Sequence, residues 1–261
     1  LWQVLAAVTA GSFLLTGPLG VVQWLWANPG LIGRALAVTL TNAAWGFLAG
    51  NLAAILLAAV AFIWPRSLNL LAGLALIVFC LPLIATGPIL RVLMGPGEGP
   101  QIVLAALAVY YTTLIPLLAG LRAAPALWFD LIHIYGRGRV AELIHIRARA
   151  ALPYLLAGLQ ISAPAAFLGA MVGEFTGAER GMGVLTIRFT RALDIPALWS
   201  VATVAAIISI AVYAAIGAVA RRLEPDQPPV ILAPPRLIRG SPIRQLAEMV
   251  LRIILVLLIW W

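Results

Sequence analysis

Covalent or metal chemistry in these 261 residues would have to come from two histidines, one cysteine, a few hydroxyls and nine carboxylates. His133 and His145 are twelve residues apart, with Gly136 and Gly138 between them, and read as surface histidines rather than metal ligands. Cys80 is the single cysteine and sits in an apolar run, so it forms no internal disulfide and makes no metal site alone. Ser162 and Thr186 have no neighbouring histidine to activate them. All 17 basic residues are arginine. A Gly-x-x-x-x-Gly-Lys-Ser/Thr phosphate loop needs lysine, so these residues cannot hydrolyse ATP by that route. The reading is no catalytic residue, no metal and no cofactor, with any energy supplied by a partner.

Charges in apolar surroundings are the next candidates. Glu174 follows an apolar run near the end of a hydrophobic stretch, and an acid at that depth is a functional candidate. The first reading is an interfacial ion pair with Arg180 or Arg188; the second is a gate on a transport path. Arg91 suits an anion, or snorkels to lipid headgroups. Pro82 and Pro88 lie inside another apolar stretch. Proline within a membrane helix is tolerated where neighbours or water satisfy the freed carbonyls, so both are candidates for a pathway or for a simple kink.

The elements that position these groups follow from composition. The chain is 63% hydrophobic and 10% charged, whereas soluble domains carry about a quarter charged residues. Five apolar stretches are each long enough to cross a bilayer, for which about 20 residues suffice. They fall near 35–64, 69–93, 101–121, 151–176 and 198–220. Residues 1–14 read as the tail of an earlier membrane helix. Residues 15–33, with Trp24 and Trp26, read as an external surface segment, because tryptophan favours the headgroup level. A last apolar run begins near Met249. The expected fold is all-α, a polytopic transmembrane bundle with about five complete membrane helices and partial helices at both ends. Placing 65–68, 122–150 and 221–245 on one side gives that side eleven arginines against five on the other. That side is the cytoplasm. The same asymmetry explains the net charge of +8 without nucleic acid as a partner.

Residues 122–149 read RAAPALWFDLIHIYGRGRVAELIHIRAR. Arg122, Asp130, Arg137, Arg139, Glu142, Arg147 and Arg149 would cost on the order of 20 kcal/mol at the bilayer centre, against about 4 kcal/mol returned by the apolar residues. The segment therefore stays outside the membrane. Leu127, Leu131 and Ile134 recur at helical spacing, Trp128, Phe129 and Ile132 broaden that face, and Gly136 and Gly138 interrupt it. Val140, Leu143, Ile144 and Ile146 start a second helical stretch. So much apolar surface in the cytoplasm needs a partner, such as a soluble protein with a groove, or else it folds back on its own bundle.

This segment resembles the cytoplasmic loop of binding-protein-dependent ABC importer permeases. Asp130 stands at that loop's acidic position, Gly136 six residues on at its glycine, and Ile146 ten further at its isoleucine. Leu152-Pro153 matches its second Leu-Pro, while Leu131-Ile132 and Ala148-Arg149 depart from its two alanines and first Leu-Pro. Thr39-Leu40 with Gly46-Phe47 is similar to the start of the family's first core helix. Gly173-Glu174-Phe175 and Glu179-Arg180-Gly181-Met182-Gly183 are similar to its external segment. The likeness covers about 15–225 and is greatest to the nitrate, taurine and sulfonate type.

The resemblance implies a type I importer permease in the cell inner membrane, carrying a small nutrient between the bilayer faces. It implies cytoplasmic ATP-binding subunits, a second permease unit and a periplasmic or lipid-anchored substrate-binding protein as partners. In that picture Asp130 and Gly136 shape a coupling helix, Leu127, Leu131 and Ile134 fill the ATPase groove, and Arg137 and Arg139 meet its rim. The domains expected are 1–34, the end of a first membrane helix with its external segment; 35–225, the permease core with loop 122–150; 226–246, a cytoplasmic linker with five prolines and three arginines; and 247–261, the start of a further membrane helix. Trp2 and Trp260-Trp261 resemble the same part of one helix, so two permease units in one longer polypeptide are expected over a single unit with an added helix. A secondary carrier or membrane scaffold without an ATPase is the alternative from another class.

Overall fold

Apolar runs bounded by proline, glycine or arginine become helices throughout the computed structural model, which describes residue 2 and residues 15–64, 66, 68–124, 128, 134, 138 and 142–223. No strand occurs among these residues. The chain divides into Leu1–Gln227 and Pro228–Trp261. The expected linker and final apolar run lie outside the described residues.

Helix α1, Pro18–Ala27, opens on a proline, whose missing N–H costs nothing at that position. Asn28 closes it, its Nδ2 donating to Trp24 O at 3.0 Å, and Pro29 opens α2, Pro29–Ile63. The first span thus starts earlier than the expected 35. At 35 residues α2 is about 52 Å long, well over the ~30 Å hydrocarbon core.

The second expected span is not one helix. It is α3, Leu68–Phe79, and α4, Leu83–Met94, bent by 92° at the break. Pro82 lies at the break with extended backbone, and its ring disfavours helix at Leu81 before it. Pro88 sits inside α4 without ending it. Each half is about 18 Å long, too short to cross the core alone.

Helix α5, Gly99–Gly120, is the axis of the bundle. Small residues every fourth position on α2, namely Gly46, Gly50, Ala54 and Ala58, are buried. A Cβ at Gly50 would press on Ala106 O and Val109 of α5. Close backbone approach through small residues is how membrane helices associate without a hydrophobic drive between them. Mid-seam, Thr113 Oγ1 donates to Asn51 Oδ1 at 2.6 Å. Tyr110 hydroxyl reaches Ala75 O and ties α3 to α5.

A π-helical turn, Leu143–Arg147, runs straight into α6, Ala148–Glu174. The fourth span therefore begins before the expected 151, and Leu143, Ile144 and Ile146 of the expected second loop stretch lie in its first turns. Pro153 and Pro164 both lie inside it. Gly158, Gly169 and Gly173 on α6 each face α5 backbone. A short amphipathic helix, α7, Met182–Ala192, ends on Leu193 in the left-handed region. Helix α8, Ile195–Leu223, follows and closes on Arg221-Arg222. Among the described residues four helical stretches are long and apolar enough to span a membrane, five if the bent pair counts as one.

Candidate functional site

Fragments from the two halves of the chain meet at the end of the bundle away from Leu121 and Arg147. Thr39 of α2, Glu174 at the end of α6 and the start of α7 converge there. Glu174 is 1% exposed and Thr39 is fully buried. Thr39 Oγ1 donates to Glu174 Oε1 at 2.7 Å. Gly183 N–H donates to Glu174 Oε2 at 2.7 Å, and Met182 N–H donates to Thr39 Oγ1 at 2.8 Å. The carboxyl thus sits at the N-terminus of α7, where free N–H groups and the helix dipole favour an acceptor.

Glycine is required around it. Gly181 has φ of 131°, a conformation that side chains avoid, and a Cβ there would collide with the Glu174 carboxyl. The expected ion pair is thereby corrected: among the described residues Glu174 pairs with neither Arg180 nor Arg188. Its partners are a hydroxyl and a backbone amide because the turn after α6 folds α7's first N–H groups onto it. Arg91 likewise donates from Nη1 to Gly97 O at 2.8 Å, tying α4 to the turn before α5. Gly87, next to Pro88, packs against Thr176 in the turn after α6, so α4 borders the same end.

At the opposite end one arginine joins the loop's exit to the bundle. Arg147 Nε pairs with Glu142 Oε1 at 2.7 Å, Nη1 donates to Leu121 O at 2.9 Å, and the guanidinium lies 5.2 Å from the Phe62 ring centroid. It therefore grips the ends of α2 and α5 at once. Sequence reasoning counted Arg147 only as a charge. A spacing of five places two residues on different faces of an α-helix; the wider π turn brings Glu142 and Arg147 together.

Of the docking-face residues named from sequence, only Ile134 is described, and it is 79% exposed. Leu127, Asp130, Leu131, Gly136, Arg137 and Arg139 lie outside the described residues. Trp128 is also exposed.

A bundle of apolar helices, four or five of them able to cross a bilayer among the described residues, defines a multi-pass membrane protein. Residues 50–227 match the family model of the binding-protein-dependent transport system inner membrane component. A probable ABC transporter permease protein of Haemophilus influenzae is 30% identical over 220 residues, 83% of this chain and 89% of that protein. The formylaminopyrimidine transport permease protein ThiX of Halalkalibacterium halodurans is 24% identical, covering 83% of this chain and 87% of its own. The putative aliphatic sulfonates transport permease protein SsuC of Bacillus subtilis is 25% identical over 71% of this chain and 68% of its own. The chain belongs to the binding-protein-dependent transport system inner-membrane component family. It is an ABC transporter permease of the inner membrane, a transport component and not a catalytic enzyme. The family implies an ATP-binding subunit and a substrate-binding protein as partners in general.

Proposed function

We propose that this chain forms the substrate path of an importer and is driven by separate cytoplasmic ATPase subunits that dock on residues 126–135. The observation that carries this reading is the apolar, arginine-bearing segment between Arg122 and Arg149. It is too charged for the bilayer and too greasy for water, and Trp128 and Ile134 are exposed within it. Leu127, Leu131 and Ile134 form the docking face, Asp130 and Gly136 shape the helix, and Arg137 and Arg139 meet the ATPase rim. Arg147 then passes the motion to the ends of α2 and α5.

In the same reading 35–225 is the permease core, flanked by an external segment and a cytoplasmic linker. The path is completed by a second permease unit, in the same polypeptide or as a homodimer. Pro82 and Pro88 place a bent helix pair beside it, and Glu174 holds its outer end. The cargo is a small nutrient delivered by a binding protein. The names of the relatives span two chemistries, a neutral heterocycle and a sulfonate anion.

Leu131→Asp tests the reading. Placing a charge in the docking face should abolish both co-purification with the ATPase and nucleotide-driven uptake, with the permease still inserted. Retention of both would show that the coupling face lies elsewhere.

A further inference from the structure

Two asparagines on α2 have opposite fates. Asn51 Nδ2 donates to Phe47 O at 2.8 Å, and its Oδ1 accepts from Thr113. Asn42 is 1% exposed, yet neither its Nδ2 nor its Oδ1 meets a hydrogen-bonding group among the described residues. Buried amides are almost always paired, and one left open calls for a partner that the surrounding helices do not supply.

Its place in the fold gives the group a purpose. Asn42 lies one helical turn beyond Gly46 on the seam with α5, and Gln101 lies one turn beyond Ala105 on the other side. Twenty-one residues separate Asn42 from Ile63, about 31 Å of helix, which puts it at the outer border of a ~30 Å core. Here a cavity of about 270 Å³ is lined by Asn42, Arg91, Glu98, Gln101, Glu179 and Arg180 among others. With its amide turned to satisfy both groups, Gln101 nitrogen lies 3.1 Å from Gly97 O and from Glu98 O. Gln101 is thus committed to its own turn, and Asn42 is left as the reader at the cavity floor.

The lining selects a chemistry. Two arginines and two glutamates balance, so a simple anion such as nitrate or a sulfonate gains no net attraction. Asn42 offers one donor side and one acceptor side on adjacent atoms. Their complement is an acceptor next to a donor, the edge that asparagine reads on an aminated ring. A zwitterion whose charges are separated by a carbon chain does not present it. The volume lies just below the usual range for drug-sized ligands and fits one ring.

We propose that this cavity is an outer subsite of the substrate path, taking an uncharged one-ring nitrogen heterocycle whose amino and ring-nitrogen edge is read by Asn42. This rests on the reading of the chain as an importer permease. Asn42 lines the cavity, and a turn of its side chain brings the amide to the ligand while Thr39 and Glu174 stay joined.

The test uses the full transporter, permease with its ATPase, in lipid nanodiscs. Equilibrium dialysis with labelled cytosine, taurine and nitrate measures binding directly. Cytosine should bind wild type, and both Asn42→Leu and the similarly shaped Asn42→Asp should weaken it by about tenfold or more. Taurine and nitrate should neither bind at this site nor displace cytosine. Equal cytosine binding by wild type and both variants overturns the assignment of Asn42, as does the absence of cytosine binding. Taurine or nitrate binding that is lost in Asn42→Leu overturns the ligand class. ATP hydrolysis in the same nanodiscs separates the two readings: an active ATPase with no cytosine binding sinks the subsite alone, whereas failure of any ATPase to associate sinks the permease reading beneath it.

Discussion

The two ends of the bundle, outer and inner in the proposed orientation, are held by joints of opposite character. At the outer end Glu174 is buried and accepts from a hydroxyl and a backbone amide. At the inner end Arg147 has 26% of its side chain exposed and holds a carboxylate, a carbonyl and a ring face. A joint sealed from water has no substitute partners when it opens, whereas a half-solvated one can exchange its bonds for water. The outer joint is thus suited to be a fixed pivot, and the inner joint to be remade in each cycle.

Breaking the pivot should have the largest effect. Glu174→Ala strands the buried N–H of Gly183 and leaves the Thr39 hydroxyl only the longer bond to Ala35 O at 3.2 Å. A loss of about 2–4 kcal/mol follows from leaving such groups unpaired. Gly181→Ala attacks the same joint from the other side, since its Cβ needs the space of the carboxyl and its φ disfavours any side chain. The comparison sharpens in the double variant: because both changes break one joint, their combined loss should fall well short of the sum. Thermal unfolding of the purified single and double variants measures this. Strict additivity would mean that the glycine and the acid act separately.

How far this contrast was legible in the sequence depends on distance along the chain. The spans were readable because a bilayer demands long apolar runs. Thr39, Glu174 and the Gly181–Gly183 turn were each visible as fragments. Nothing in a linear reading joins Thr39 to Glu174, 135 residues later, so the sequence alone points to a nearby arginine as the partner. The break at Pro82 is hidden because proline also occurs in unbroken membrane helices, as Pro116 and Pro164 demonstrate here. The start of the fourth span was missed because Glu142, Arg147 and Arg149 argue for water, although their helix is continuous with the membrane helix. Asn42 and Asn51 are the same residue on the same helix; only packing tells them apart.

The inner joint should respond less in stability and more in coupling. Arg147→Ala should cost about 1 kcal/mol or less in thermal unfolding, given its partial exposure. Uptake per ATP hydrolysed should nevertheless fall several-fold, because the loop no longer grips α2 and α5. Arg147→Lys keeps the charge but loses the planar fork that serves a carboxylate, a carbonyl and a ring together, so it should restore little of the coupling. A variant with unchanged uptake per ATP would remove Arg147 from the transmission path.

Salt provides the smallest effect and the cleanest separation of the two ends. Raising ionic strength from 0.1 M to 1 M shortens the Debye length from about 10 Å to about 3 Å. The Arg147–Glu142 pair reaches solvent, so screening should lower its contribution by a few tenths of a kcal/mol. Salt also acts on lipid headgroups and on every other surface charge, so the informative quantity is a difference between variants. Wild type and Arg147→Ala should converge in unfolding temperature as salt rises, since the variant has no pair left to screen. Wild type and Glu174→Ala should keep their separation, because the buried carboxyl meets no mobile ions and its partners carry no net charge. Convergence of the second pair as well would show that water and ions reach Glu174, and the outer joint would then be as open as the inner one.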